Sequence, residues 1–169
     1  LAFRREKLAK LQDAGINAYG GRFDVTHTIP GLRENFVEGI AVRAAGRISA
    51  RRDMGKTQFF DISDIEGRFQ CFLNAKNVPE ETFKLFTELL DLGDWVGVGG
   101  EAFVTKTGEP SIKVTGLTVL SKALRPMPDK WHGVADREIK YRQRYLDLMS
   151  NQRSREVFIL RSKMMAETR

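Results

Sequence analysis

Apolar and polar positions alternate through residues 39–74, GIAVRAAGRISARRDMGKTQFFDISDIEGRFQCFLN. Successive side chains on a strand point to opposite faces, so this pattern predicts three strands joined by two tight reversals, at Asp53 to Lys56 and at Ile65 to Gly67. Ile40, Val42, Ala44 and Ile48 share one side of the first strand, and Arg43, Arg47, Ser49 and Arg51 the other. Phe60 and Ile62 point inward from the second strand, leaving Thr57, Phe59 and Asp61 outward. In the third, Phe69, Cys71 and Leu73 form the apolar set and Arg68, Gln70 and Phe72 the outer one.

The flanking sequence completes an architecture. Residues 2–14 carry Phe3, Leu8 and Leu11 at near-helical spacing among basic residues, with Gly15 as a stop, and predict a short basic helix. Residues 16–38 read as an extended connection with a helical turn near 32–37. Pro79 heads a helix to about Asp91, rich enough in Phe and Leu to cap something, and Gly93 closes it. Two strands follow at about 95–105 and 110–121, separated by a turn at Lys106 to Pro110. Gly97, Gly99 and Gly100 lack the helix and lysine of a phosphate loop and suit the coiling of a small closed barrel. Three strands, a helix and two strands is the order of an oligonucleotide-binding (OB) barrel, so the predicted class is mainly β with a helix plugging one end between strands three and four. In that fold the faces of strands two and three and the loops joining strands one to two and four to five make the binding surface.

The expected organisation is residues 1–38 as basic helix and connection, 39–121 as the barrel, 122–135 as a proline-punctuated linker with Trp131, and 136–169 as helices. The final helix bears a stripe of Val157, Leu160 and Met164, flanked by Phe158 and Ile159, too wide for isolation. Ending there without a cap, the chain is expected to be a piece of something longer.

A net charge of +6 and a pI near 9.6 favour an acidic partner such as RNA. Arginines, an amide and aromatic rings on one sheet face suit single-stranded nucleic acid: cations neutralise phosphate, rings stack on unpaired bases, and an amide reads a base edge. The plainer alternative is a solubilising face whose rings are covered by a terminal segment. No run approaches the length of a membrane span and the N-terminus is too charged for a secretory signal, so a cytoplasmic location is expected. Cys71 reads as a buried strand thiol, and His27 and His132 have no ligand-spaced companions, so no metal site is expected.

The strings RRDMGKTQFFDISD, DLGDWVGVGGEAFVTKTGEPSIKV, SKALRPMPDKWHG and YRQRYLDLMSNQRSREVF resemble the bacterial class II lysyl-tRNA synthetases, over essentially the whole chain. Barrel, helix and loop alone would fit the aspartyl and asparaginyl relatives as well. The resemblance implies an anticodon-binding barrel for tRNA-Lys, joined to the start of a homodimeric catalytic domain that elsewhere uses ATP and magnesium. It implies that Phe59 stacks on an anticodon base while Arg47, Gln70 and Glu109 hydrogen-bond a uracil-rich triplet, with Arg51, Arg52 and Lys56 at phosphate. No catalytic residue and no cofactor is assignable within these residues. A sequence-tolerant single-strand binder and a protein-docking module are the competing expectations.

Overall fold

The computed structural model describes residues 1–126 and 136–169; the linker residues 127–135, among them Trp131 and His132, lie outside the described residues. The chain divides into two compact units, Leu1–Pro126 and Met127–Arg169.

In the first unit β1 (Ala41–Asp53), β2 (Thr57–Ser63), β3 (Arg68–Asn74), β4 (Trp95–Val104) and β5 (Pro110–Ser121) close into a barrel in the order β1-β2-β3-β5-β4. All neighbours are antiparallel except β3 and β5. The predicted inward residues Val42, Ala44, Ile48, Phe60, Ile62, Phe69, Cys71 and Leu73 are buried, joined by Val96, Val98, Ala102, Ile112 and Val114 from the last two strands. Cys71 is fully enclosed, and burial pushes its thiol well above the ordinary range, as suits an inert strand cysteine.

Both barrel ends are filled by helices. α1 (Ala2–Asp13) buries Leu11, while α2 (Ile29–Glu34), capped by the Thr28 hydroxyl, buries Ile29 and Leu32 and packs against β3. The capping segment after Pro79 is shorter than the single helix the sequence predicts. α3 (Glu80–Lys84) widens into a π turn over Leu85–Leu89, and the backbone extends at Leu90. The wide turn seats Phe86 against Phe60, ring centroids 4.6 Å apart, and both rings are buried. Two of the three glycines of β4, Gly97 and Gly100, are required by close contacts. The Phe23 ring lies on Gly97, where any Cβ would meet it at 2.5–2.7 Å, and Gly100 is pressed against the Lys113 carbonyl.

A buried polar node ties this unit together. Lys122 Nζ, wholly enclosed, donates to Leu89 O, to Asp91 Oδ2 and to Asp94 Oδ2, at 2.7–2.8 Å. Asp91 also accepts from Lys7 of α1, and Asp94 Oδ1 accepts from the Ala123 amide. Arg4 of α1 donates to Ala123 O and Leu92 O. Two of the cations of the basic helix are thereby committed to the protein itself, whereas Arg5 and Lys10 stay exposed.

The second unit holds α4 (Arg137–Arg142), α5 (Arg144–Ser150) and α6 (Gln152–Thr168). Asp136 and Asn151 cap the first and last of these with their carboxylate and amide oxygens. Arg144 pairs with the buried Asp147 and lies between the rings of Tyr141 and Phe158. Along α6 the stripe of Val157, Leu160 and Met164 is exposed among the described residues.

Candidate nucleic-acid interface

The outer face of β2 and β3 is ordered by its register. Phe59 pairs with Phe72, and Asp61 with Gln70. Parallel β5 sets Lys113 beside Phe72 and Ser111 beside Gln70, and β4 sets Phe103 beside Ser111. On the opposite flank β1 sets Arg52 beside Phe59. Phe59, Phe72 and Phe103 form a continuous aromatic run, with centroids 5.2 and 5.5 Å apart, and each ring is half-buried where the core rings are sealed.

A bulge decides which arginine joins this face. Between Ile48 and Ala50 the β1–β2 register slips by one, so that Ile48 opposes Ile62 but Ala50 opposes Asp61. An inserted residue reverses the parity of everything beyond it. Unbroken alternation puts Arg51 outside with Arg47; the bulge instead turns Arg51 to the side of Phe60 and gives the outer place to Arg52. This corrects the expectation that Arg51 meets phosphate. Its guanidinium donates to Gln58 Oε1 and to the carbonyls of Phe86, Thr87 and Leu90, and it lies over the Phe86 ring. Those are end-of-helix carbonyls that the π turn leaves without amide partners, so Arg51 caps the plug of the barrel.

Arg47, expected to read a base, is engaged elsewhere. It donates to Gly93 O at 2.8 Å and lies 5.3 Å from the Trp95 ring, on the β1–β4 side. Burial lowers the pKa of both guanidinium groups, opposed by Asp94 at Arg47 and by Asp53 and Asp91 at Arg51.

Phe59, Gln70 and Arg52 do come together. Arg52 donates to Gln70 Oε1 at 3.0 Å, Gln70 Nε2 donates to Ser111 Oγ at 3.0 Å, and Ser111 Oγ donates to the Glu109 carbonyl. The chain of bonds fixes the orientation of the Gln70 amide. It also leaves Gln70 one N–H and one lone pair, a donor beside an acceptor, which matches the O4 and N3–H edge of uracil. Ser111 is buried beneath this pair and reaches the β4–β5 loop, where Thr105 takes up the backbone of Glu109 and leaves the Glu109 side chain exposed. At the other border, Asp53 Oδ1 accepts from Gly55 N and shapes the β1–β2 turn that exposes Lys56. Lys113 and Phe103 are additions to the face that the sequence reading lacked. Their strand alternation was legible, but their adjacency to Phe72 depends on a parallel pairing between strands about forty residues apart.

Comparison with known proteins agrees with this geometry. Residues 42–120 match the family model described as an OB-fold nucleic acid binding domain of the tRNA anticodon type. The chain is 48% identical to a lysine–tRNA ligase of Moorella thermoacetica, aligned over all of the chain and 35% of that protein. Identity is also 48% with the lysine–tRNA ligase of Pelotomaculum thermopropionicum, over 98% of the chain and 33% of the relative. It is 45% with that of Bacillus cereus, over all of the chain and 36% of the relative. The chain thus spans about a third of the length of the curated relatives it matches.

Proposed function

Since residues 42–120 match the OB-fold nucleic acid binding domain model, within a chain similar along its length to lysine–tRNA ligases, we propose that this barrel reads the uracil-rich anticodon of tRNA-Lys. The observation that carries the reading is the Arg52–Gln70–Ser111 chain laid beside the half-buried Phe59 ring. Phe59 stacks on a splayed base. Gln70 presents its remaining donor and acceptor to the uracil edge, Glu109 adds an acceptor from the loop, and Arg52 and Lys56 neutralise phosphate. Arg47 holds the barrel around Gly93, and Arg51 holds its plug.

The rest of the proposal concerns the longer protein. It activates lysine with ATP and magnesium, transfers it to tRNA, works as a homodimer and resides in the cytoplasm. Among the described residues no group of three or more His, Cys, Asp or Glu side chains converges as a metal site requires. ATP and magnesium belong to the proposal for the longer protein, and none of the described residues is given a catalytic role. No helix among the described residues is long and apolar enough to cross a membrane.

The test is binding to a tRNA-Lys anticodon stem-loop and to the same loop with its central uracil changed to cytosine. The change is expected to cost about 1–3 kcal/mol, because the Gln70 and Glu109 groups lose their complement. Phe59→Ala is expected to weaken binding by about 1–3 kcal/mol through lost stacking. Equal affinity for the two loops would reduce the barrel to a sequence-tolerant single-strand binder. The two neighbouring arginines provide a separate check. Arg51→Met is expected to lower unfolding free energy by about 1–3 kcal/mol, leaving buried carbonyls unpaired. Arg52→Met is expected to leave the unfolding transition in place and to weaken RNA binding. Thermal melts and titrations on the same samples distinguish these outcomes.

A further inference from the structure

Phe72 and Phe103 are aromatic rings with an exposed side and no part in the scheme above. In the register, Arg52, Phe59, Phe72 and Lys113 stand in one row on four successive strands, β1, β2, β3 and β5. The row therefore runs cation, ring, ring, cation. Each nucleotide carries one base and one phosphate on its sugar, and this row supplies partners for two of them. The Phe59 and Phe72 planes are inclined at 58° and those of Phe72 and Phe103 at 61°. One base cannot lie flat on two rings so inclined. Nor can two bases stacked on each other at about 3.4 Å use rings 5.2 Å apart, so each ring must take a base already splayed from its neighbour. On β4, Glu101 stands next to Lys113 and closes the row with a negative charge. That carboxylate bounds the track at two nucleotides.

We propose that Phe72, braced edge-on by Phe103 and with Lys113 on the phosphate, forms a second stacking station that takes the nucleotide adjacent to the one held by Phe59. This rests on the anticodon-loop reading and extends it. The competing role for the two rings is as struts that hold Phe59 in place.

The experiment uses the full chain and a set of anticodon stem-loops, each with one loop nucleotide made abasic. On the intact loop, Phe72→Leu, which keeps apolar bulk but loses the ring face, is expected to weaken binding about 5- to 150-fold, as loss of a stacked base does, and Phe103→Leu to weaken it less, as loss of a brace does. Each penalty is expected to vanish on one abasic loop, adjacent to the different loop on which Phe59→Ala falls silent. Lys113→Gln is expected to lower the slope of log affinity against log salt by about 0.7, the value of one single-strand phosphate contact. Vanishing of all three ring penalties at the same loop position would make Phe72 and Phe103 struts and overturn the second station. So would a Phe72→Leu variant that binds the intact loop as the parent chain does. If Phe59→Ala binds every loop unchanged, the anticodon reading itself falls, and the station with it. Thermal melts of each variant identify any loss of affinity that comes from unfolding.

Discussion

Lys122→Met is expected to lower the free energy of unfolding by about 3–5 kcal/mol, the usual effect of stranding a buried charge. Lys122 and Asp94 are fully enclosed, and the ammonium holds two carboxylates and one carbonyl. Methionine fills similar space but leaves Asp94 buried as an unmatched anion and Leu89 O without its donor. Urea unfolding measures the loss. Adding Asp94→Asn to Lys122→Met is expected to restore part of it, since the uncompensated charge goes too, and a double-mutant cycle shows coupling between the two. Asp91 supplies a pH signature. Burial pushes its pKa up, but hydrogen bonds from Lys122 and Lys7 prevail and hold it below the ordinary carboxylate value. A depressed folded pKa contributes stability above the unfolded pKa, lost as pH falls through the folded one. The acid limb of the stability profile is therefore expected to be shallower in Lys122→Met than in the parent chain.

Gly100→Ala is expected to cost about 3 kcal/mol, the upper end for overpacking, because what it meets is backbone. The added Cβ would fall well inside contact with Lys113 O, 2.8 Å from Lys113 C and 3.0 Å from Ile112 Cγ2, where β4 and β5 shift register. The Lys113 carbonyl cannot rotate away, since it is backbone of the strand that closes the barrel, and the Ile112 side chain is fully buried. Gly99→Ala is the control: nothing lies within 4 Å of its Cβ position, and its unfolding midpoint is expected to stay near that of the parent chain. Thermal melts of the two variants measure the difference. A Gly100→Ala protein as stable as Gly99→Ala would mean that the β4–β5 pairing yields more readily than this geometry allows.

The barrel was legible because its strands alternate cleanly; Val42, Phe60 and Cys71 fall inward in the sequence pattern as they do in the fold. The exception is Ser49. A bulge inserts one residue without leaving a compositional mark, and in RISARRD both parities place a plausible side chain outside. Arg51 and Arg52 exchange faces on that account. The partner of Arg47 was not legible either: it is the carbonyl of Gly93, a main-chain group 46 residues away that side-chain patterns do not encode. Lys122 falls at the start of the expected linker 122–135, and lysines are rarely enclosed. Only the folded chain brings Asp91 and Asp94 around it. Phe103 was invisible as a site residue because strand alternation reports which way a residue points and not which strand it lies beside.

The place of β5 between β3 and β4 also sets an order of birth. Synthesis delivers β1, β2 and β3 first as a meander that can pair locally, but both its outer edges wait for later strands. β4 covers the edge of β1, and β5, ending at Ser121, closes the gap between β4 and β3. At roughly 5–20 residues per second, several seconds separate the emergence of β3 from that of β5. Through that interval the nascent chain carries an unpaired β3 edge with Phe69, Cys71 and Leu73 exposed on one face. A ribosome pause between residues 75 and 121 would hold the chain in its most adhesive form, so this stretch is where chaperone contact during translation should concentrate.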